Sequence, residues 1–98
     1  ILVPCEDIQC IRSDDVYARV AVGDREYVIR ESLASIAQRL DPARFVRLHR
    51  TAIVNTAFVR ELKTLPNGER VAVLASGAAL PIGRRRREEV ERLLLGPL

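Results

Sequence analysis

Turn signals recur along this 98-residue chain at intervals that suit short antiparallel strands. The runs between them are either rich in β-branched residues or alternate between apolar and polar residues. A spacing of about 8 to 12 residues between such signals is typical of antiparallel β structure. The turn segments are "SDD" at 13–15, "GD" at 23–24, "PNG" at 66–68 and "SG" at 76–77.

The segments between these turns predict seven or eight short strands. They are 8–11, 16–22, 25–29, 45–48, 51–55, 57–65, 69–75 and 79–82. Two segments have helical spacing instead. Ser32 can cap a helix whose apolar positions are Leu33, Ile36, Ala37 and Leu40, and Asp41-Pro42 ends it. A second helix is predicted from Arg84 until Gly96-Pro97.

The bulk composition fits one small globular domain, with 48% hydrophobic and 30% charged residues. No apolar run approaches the roughly 20 residues that a membrane span needs, so we expect a cytoplasmic domain without membrane contact. The chain starts at Ile1 and contains no Met, which predicts a domain excised from a longer protein. Cys5 and Cys10 are too far apart on one strand for a disulfide, so both are expected to be reduced.

Enzymatic chemistry has little support in this sequence. His49 is the only histidine, and no carboxylate within ten residues upstream is available to it except Asp41. The motifs HExxH, CxxC and GxGxxG and the Walker-type glycine loop are absent. We therefore expect no catalytic activity, no cofactor and no metal site. For His49, a hydrogen bond from the ring to backbone or phosphate is the favoured role.

Positive charge is concentrated in two regions. No acid lies between Pro42 and Arg60, a stretch that contains Arg44, Arg47 and Arg50. These arginines lack nearby acidic partners, so they are expected to be exposed. The acids are found elsewhere, Asp14 and Asp15 among them. Exposed arginines beside a loop favour a nucleic-acid contact, although a charged edge that discourages strand aggregation is the alternative.

The second region, Arg84 to Arg87, is expected in the first turn of the C-terminal helix, where the helix dipole disfavours cations. Two explanations remain open. Three acids follow at i+4 spacing and allow ion pairs within the helix: Glu88, Glu89 and Glu91. Alternatively, the arginines and the free N–H groups of the helix start bind an external anion such as phosphate.

The order of these features resembles the LytTR DNA-binding domain over nearly the whole chain. "FVRLHRTAIVN" at 45–55 resembles one signature of that family, and "LPIGRRRREEV" at 80–90 resembles its second. "IQCIRSDDVYARV" at 8–20 resembles its early hairpin, and "SLASIAQRL" its embedded helix. The resemblance implies a mostly β, elongated antiparallel fold with one embedded helix and a C-terminal helix, spanning 1–98 as a single domain.

The resemblance also implies a function and a set of DNA contacts. Domains of this family form the output of bacterial transcriptional regulators, and their loops enter successive major grooves and bend the duplex, often at direct repeats. The base-reading positions fall at Tyr17, Arg50 and Arg85. The candidates for phosphate contact or support are Arg47, His49, Arg84 and Arg86. Gly83 stands where the family usually has Ser, so a hydroxyl is missing there.

Several expectations follow from this reading. Arg50 can read guanine through O6 and N7, and Asn55 is expected to bond backbone rather than a base. The expected partners are promoter DNA, a sensory or receiver domain in the parent chain, and a second copy on the DNA. The competing hypothesis is a protein-interaction module of the same fold that has lost DNA binding. A redox switch at Cys5 or Cys10 is a more distant one.

Overall fold

Eight strands form two antiparallel sheets in the computed structural model, which describes residues 3–95. The predicted end of the last helix at 96–97 lies outside the described residues. The strands are β1 (Ile8–Asp14), β2 (Tyr17–Val22), β3 (Arg25–Ile29), β4 (Phe45–His49), β5 (Ala52–Asn55), β6 (Val59–Thr64), β7 (Arg70–Leu74) and β8 (Ala79–Ile82). The helices are α1 (Leu33–Ala37) and α2 (Arg87–Leu95).

The larger sheet has the strand order β3-β2-β1-β5-β4, and the smaller one has the order β6-β7-β8. The molecule measures 39 × 26 × 25 Å along its principal axes. The mostly β, elongated antiparallel architecture predicted from the sequence is therefore confirmed, together with its embedded helix and its C-terminal helix.

Apolar side chains on both faces of the larger sheet make two cores. Between the sheets, Leu48 and Val54 pack with Leu74 and Leu80 of the smaller sheet and with Val90 of α2. On the opposite face, the second core is formed by Ile11, Ala18, Val20, Phe45, Ile53 and two residues of α1, Leu33 and Ile36. All four residues of β5 are buried because that strand lies between both cores, which explains its unbroken apolar run.

The capping predictions hold at two places. The Ser32 hydroxyl accepts the N–H of Ser35 at 3.1 Å at the start of α1. Asn55 is buried; its Nδ2 donates to the Ile8 carbonyl at 2.9 Å, and its Oδ1 accepts the N–H of Ala57 at 3.1 Å. The prediction that Asn55 bonds backbone is confirmed. Its amide ties β1 to the turn that follows β5.

Several element boundaries differ from the sequence prediction; β6, predicted over 57–65, begins only at Val59 after a 3-10 turn, and three further differences are larger or lie near the arginines. β1 extends through Asp14, so the first turn consists of Asp15 and Val16, and Asp15 has a φ of 58°. α1 ends at Ala37, because the next amides bond three residues back (Arg39 N to Ile36 O, 2.9 Å). Arg84–Arg86 form a 3-10 turn, and α2 begins only at Arg87.

Candidate nucleic-acid interface

Three chain segments that are distant in sequence meet at one end of the molecule. The amide of Ser13 donates to the carbonyl of Thr51 at 3.0 Å, which places the β1–β2 turn beside the β4–β5 turn. The amide of Gly83 donates to the carbonyl of Leu48 at 2.8 Å, which places the end of β8 on the other side of the β4–β5 turn. We call residues 14–17, 49–52 and 83–86 together the three-turn surface.

The β4–β5 turn is held by one of its own arginines. Nε of Arg47 donates to the His49 carbonyl at 2.9 Å, and its NH2 group donates to the Arg50 carbonyl at 2.8 Å. Arg47 is half-buried, so the prediction that it is exposed is wrong. Its side chain reaches forward to two carbonyls at the end of β4 and in the turn. The prediction of exposure is correct for Arg44 and Arg50.

His49 also stabilises this turn from within. Its Nδ1 accepts the N–H of Thr51 at 3.2 Å and lies 2.8 Å from the Thr51 hydroxyl. A ring nitrogen that accepts a backbone N–H carries no hydrogen, so the neutral ring has its hydrogen on Nε2. The half-buried ring therefore makes the backbone hydrogen bond that the sequence favoured. Nε2–H is left as a donor.

The segment after β8 carries the densest positive charge of the surface. Arg84 and Arg85 are exposed, whereas Arg86 is half-buried near Arg47. Burial, and in second place the charge of Arg86, lowers the pKa of Arg47. The positive charge of Arg86 therefore acts on Arg47, and an anion at this corner would offset the repulsion between the two guanidinium groups. Gly83 caps the 3-10 turn without a side-chain hydrogen bond.

The ion pairs proposed within the C-terminal helix are not formed among the described residues. Glu91 instead pairs with Arg70 of β7 at 2.8 Å. Arg87 donates to the Gly68 carbonyl at 2.9 Å, across to the β6–β7 turn. The internal explanation for the arginine cluster is therefore wrong for its i,i+4 pairs. Arg84 and Arg85 remain exposed cations on the three-turn surface.

The β1–β2 turn adds a different chemistry to the same end. Tyr17 is 42% exposed and Val16 is 47% exposed, so two apolar side chains project beside the arginines. The hairpin also brings Asp14 and Asp15 there, although the sequence placed the acids away from the basic regions. Asp14 is paired with Arg19, whose Nε lies 2.7 Å from its Oδ2.

Arg12 is an exposed arginine that the sequence did not single out; its backbone lies at this end, but its side chain points toward Cys10 and lines a depression with Gly23 and Glu26. It pairs with Ala52 across β1 and β5, next to the β4–β5 turn. It shares a sheet face with Cys10, which is buried between the sheets, yet Arg12 itself is exposed. A search for clusters of adjacent arginines overlooks an isolated one. The alternation of β1 and its pairing with β5 are the signals that place Arg12 here.

The fold of this chain is shared with a known class of DNA-binding domains. A solved structure of a LytTr DNA-binding domain of a putative methyl-accepting/DNA response regulator from Bacillus cereus superimposes with a TM-score of 0.87. It covers 99% of this chain and 88% of that one at 21% identity, so it establishes the shared fold.

Sequence comparison then gives the family. The sequence profile described as "LytTr DNA-binding domain" matches residues 1–95. The chain belongs to the LytTR DNA-binding domain family, which is not a class of enzymes.

The relatives include the sensory transduction protein LytT of Bacillus subtilis (strain 168), 27% identical over 94 residues, or 96% of this chain and 39% of LytT. The heme-containing CO-sensing transcriptional regulator RcoM 2 of Paraburkholderia xenovorans (strain LB400) is 30% identical over 95 residues, or 96% of this chain and 36% of RcoM 2. The chain thus spans less than two fifths of the length of these two relatives. Within residues 3–95, neither helix has the length and apolar character needed to cross a membrane.

Proposed function

We propose that this chain binds double-stranded DNA sequence-specifically, as the cytoplasmic output domain of a longer transcriptional regulator that also carries a sensory or receiver domain. The observation that carries this proposal is the three-turn surface, where exposed Arg50, Arg84 and Arg85 lie in segments joined by two backbone hydrogen bonds. Family membership and the name of the relative RcoM 2, which is described as a transcriptional regulator, support the same interpretation.

The base-reading residues of the proposal are Tyr17, Arg50 and Arg85, one in each turn. Separate turns at one rigid end of the molecule can enter two successive major grooves. An elongated molecule that engages both grooves bends the duplex. Two copies at direct repeats would extend the contact. Arg50 reads a guanine through a forked pair of hydrogen bonds. Tyr17 packs against a thymine methyl group or a sugar.

Phosphate contacts are assigned by exposure and by existing hydrogen bonds. Arg84 and Arg86 follow the corner at Gly83 and are the candidates for phosphate. Arg47 and His49 act as supports, because their polar atoms already bind the backbone of the β4–β5 turn. Asp14 and Asp15 repel phosphate, so the β1–β2 turn is expected to face base edges rather than the DNA backbone.

The test is selection from a pool of random duplexes by the isolated chain, followed by binding to the selected site over a range of salt concentrations. A defined site and a linear fall of log affinity with log salt are expected. The matched control is Arg60→Ala, which removes an exposed arginine near the far end of the smaller sheet and should leave both results unchanged. Failure to enrich any site, together with little salt-dependent binding to random duplex, would instead support the protein-interaction module.

A further inference from the structure

The outer edge of β3 is the least protected part of the larger sheet. β3 pairs with β2 on one side, and no described strand pairs with its other side. Two of its apolar side chains are open to solvent, Val28 at 51% and Ile29 at 36% exposure. Together with Tyr27, Val20 and Val3 they line a shallow depression of about 310 Å³. An edge strand with exposed apolar residues is a template for pairing with another strand.

The direction of the free backbone groups follows from the β2–β3 hairpin. Gly23 and Asp24 form a two-residue turn, so Val22 and Arg25 flank it and exchange backbone hydrogen bonds. Hydrogen-bonded pairs alternate along an antiparallel ladder. The N–H and C=O groups of Glu26 and Val28 therefore point outward, away from β2, and Arg30, the next residue of this alternation, lies just beyond the end of β3. An added strand would bind through Glu26 and Val28, and would reach Arg30 by extending β3 by one residue.

The charge pattern of this edge matches that of a second copy placed antiparallel to it. If two β3 edges meet about a twofold axis at Val28, Glu26 of each copy lies opposite Arg30 of the other. Val28 then faces its own counterpart, and Tyr27 faces Ile29. A twofold axis at a neighbouring residue gives a poorer match between the two edges. An axis at Glu26 places the two Glu26 carboxylates opposite each other, and an axis at Tyr27 places Glu26 opposite Val28. Glu26 also pairs with Arg19 of its own chain, with NH1 of Arg19 3.1 Å from Oε1, so in the dimer its carboxylate lies between Arg19 and Arg30 of the second copy. The edge is thus complementary to itself in charge.

We propose that two copies of this chain associate along β3 in this register. Charged residues on an edge normally discourage pairing, but here Glu26 and Arg30 are arranged so that they attract in the symmetric dimer. A single short pair of edges buries less surface than a stable complex requires, so the dimer is weak and depends on concentration. The self-complementary charge pattern identifies a second copy as the occupant.

The register has a geometric consequence for the proposed DNA contact. Ile29 pairs with Ala18 near the three-turn surface, whereas Arg25 lies at the opposite end of β3. Antiparallel pairing therefore points the two three-turn surfaces in opposite directions. Such a dimer holds two separate DNA segments rather than neighbouring sites on one. This consequence rests on the proposed function, while the pairing itself does not.

Charge exchange tests the register in the absence of DNA. Arg30→Glu and Glu26→Arg chains should each self-associate about tenfold more weakly than the unchanged chain in sedimentation equilibrium. An equimolar mixture of the two should regain the association, because both opposed pairs become attractive again. The control is a mixture of an Arg60→Glu chain and a Glu61→Arg chain, which carry the same charge changes on β6. These two chains should gain no association when they are mixed.

Cross-linking tests the twofold axis itself. Opposed residues of a hydrogen-bonded pair have Cα atoms about 5.5 Å apart, within reach of a disulfide. In a Cys5→Ser chain, Val28→Cys should form a disulfide-linked dimer under mild oxidation faster than Lys63→Cys on β6. Val28→Pro should abolish association, because it removes the central outward N–H, and should leave the unfolding transition cooperative.

Two outcomes would overturn the proposal. One is a chain that stays monomeric at every concentration and cross-links no faster at position 28 than at position 63. The other is self-association that Arg30→Glu and Val28→Pro leave unchanged, since another surface would then be responsible. Either result leaves the DNA-binding proposal untouched, because no DNA enters these measurements.

Discussion

Arg47 shows how an arginine next to the β4–β5 turn can have a structural role. Its side chain lies two residues before the chain reverses, and its guanidinium group has several donors in a fixed plane. It donates to two carbonyls of the turn, those of His49 and Arg50. The conformation of Arg50 therefore depends on Arg47, and binding specificity at Arg50 should depend on it as well.

Arg47→Ala should lower the free energy of unfolding by about 1 to 3 kcal/mol, because two carbonyls lose a charged donor. Arg47→Lys should restore only part of the lost free energy of unfolding, since a single ammonium group does not reproduce the two donors of the planar guanidinium group. Urea denaturation measures the change. An unchanged unfolding free energy, combined with a salt dependence that falls by about one unit of slope, would assign Arg47 to phosphate instead.

Arg50→Ala should remove the preference for one G·C pair in the selected site, at a cost of about 1 to 3 kcal/mol for that pair. Other positions of the site should keep their preference, because Tyr17 and Arg85 are in different segments. Competition binding with single-base variants of the site measures this. Undiminished preference at every base pair would contradict the role given to Arg50.

At the scale of elements, the corner between β8 and the 3-10 turn determines where Arg84 and Arg85 lie. The backbone of Gly83 has φ −64° and ψ 143°, a conformation open to any residue. A Cβ atom there would lie 3.7 Å from both the His49 ring and the Leu48 carbonyl, which is ordinary contact. Glycine is therefore not required by the backbone, and the corner is held by the Gly83–Leu48 hydrogen bond.

Gly83→Ser should raise the free energy of unfolding by about 0.5 to 1 kcal/mol. The serine hydroxyl can cap the 3-10 turn, and the unfolded chain loses some of the freedom of glycine. Thermal and urea unfolding measure the gain in stability. Gly83→Ala lacks the hydroxyl, so it separates the contribution of reduced chain entropy from that of the cap. A loss of stability in both variants would show that the corner cannot hold a side chain.

Arg84→Gln should weaken binding to all duplex sequences alike and reduce the salt dependence by about one unit of slope. The physical reason is the loss of one phosphate contact without any change at a base edge. Salt titrations on the selected site and on an unrelated duplex measure it. A loss confined to the selected site would move Arg84 from phosphate contact to base reading.

At the scale of the whole molecule, the larger sheet is the central layer, and a buried core covers each of its faces. Cys10 is buried against the smaller sheet, and burial, as the largest cause, raises the pKa of its thiol. Cys5 is exposed in the 3-10 turn before β1. Both thiols are free in the described structure.

Iodoacetamide should label Cys5 in the folded protein near neutral pH and label Cys10 only after unfolding. Because its pKa is raised, Cys10 has less thiolate at a given pH, and burial also denies access to the reagent. Mass spectrometry of the labelled chain measures this, with Cys5→Ser as the control. Rapid labelling of both residues in the folded state would show that the packing between the sheets opens readily.

Local sequence determined the elements of this protein. Alternation, turn residues and the cap at Ser32 predict nearly all strands and both helices. A strand or helix that buries one of its faces needs apolar residues at the spacing of that face, so its period is visible in the sequence. Burial within β5 and the backbone role of Asn55 also follow from short patterns. The errors lie at element ends, where hydrogen bonds such as those after Ala37 depend on the neighbouring structure.

Only the tertiary structure decided which segments share a surface and which arginines are free to use it. The hydrogen bonds from Ser13 to Thr51 and from Gly83 to Leu48 join residues distant in the chain, and no local pattern encodes their partners. The same packing half-buries Arg47, exposes Arg12 and brings Asp14 beside the arginines. Charge can be read from the sequence, but its position depends on which elements pack together, and that is a property of the whole fold.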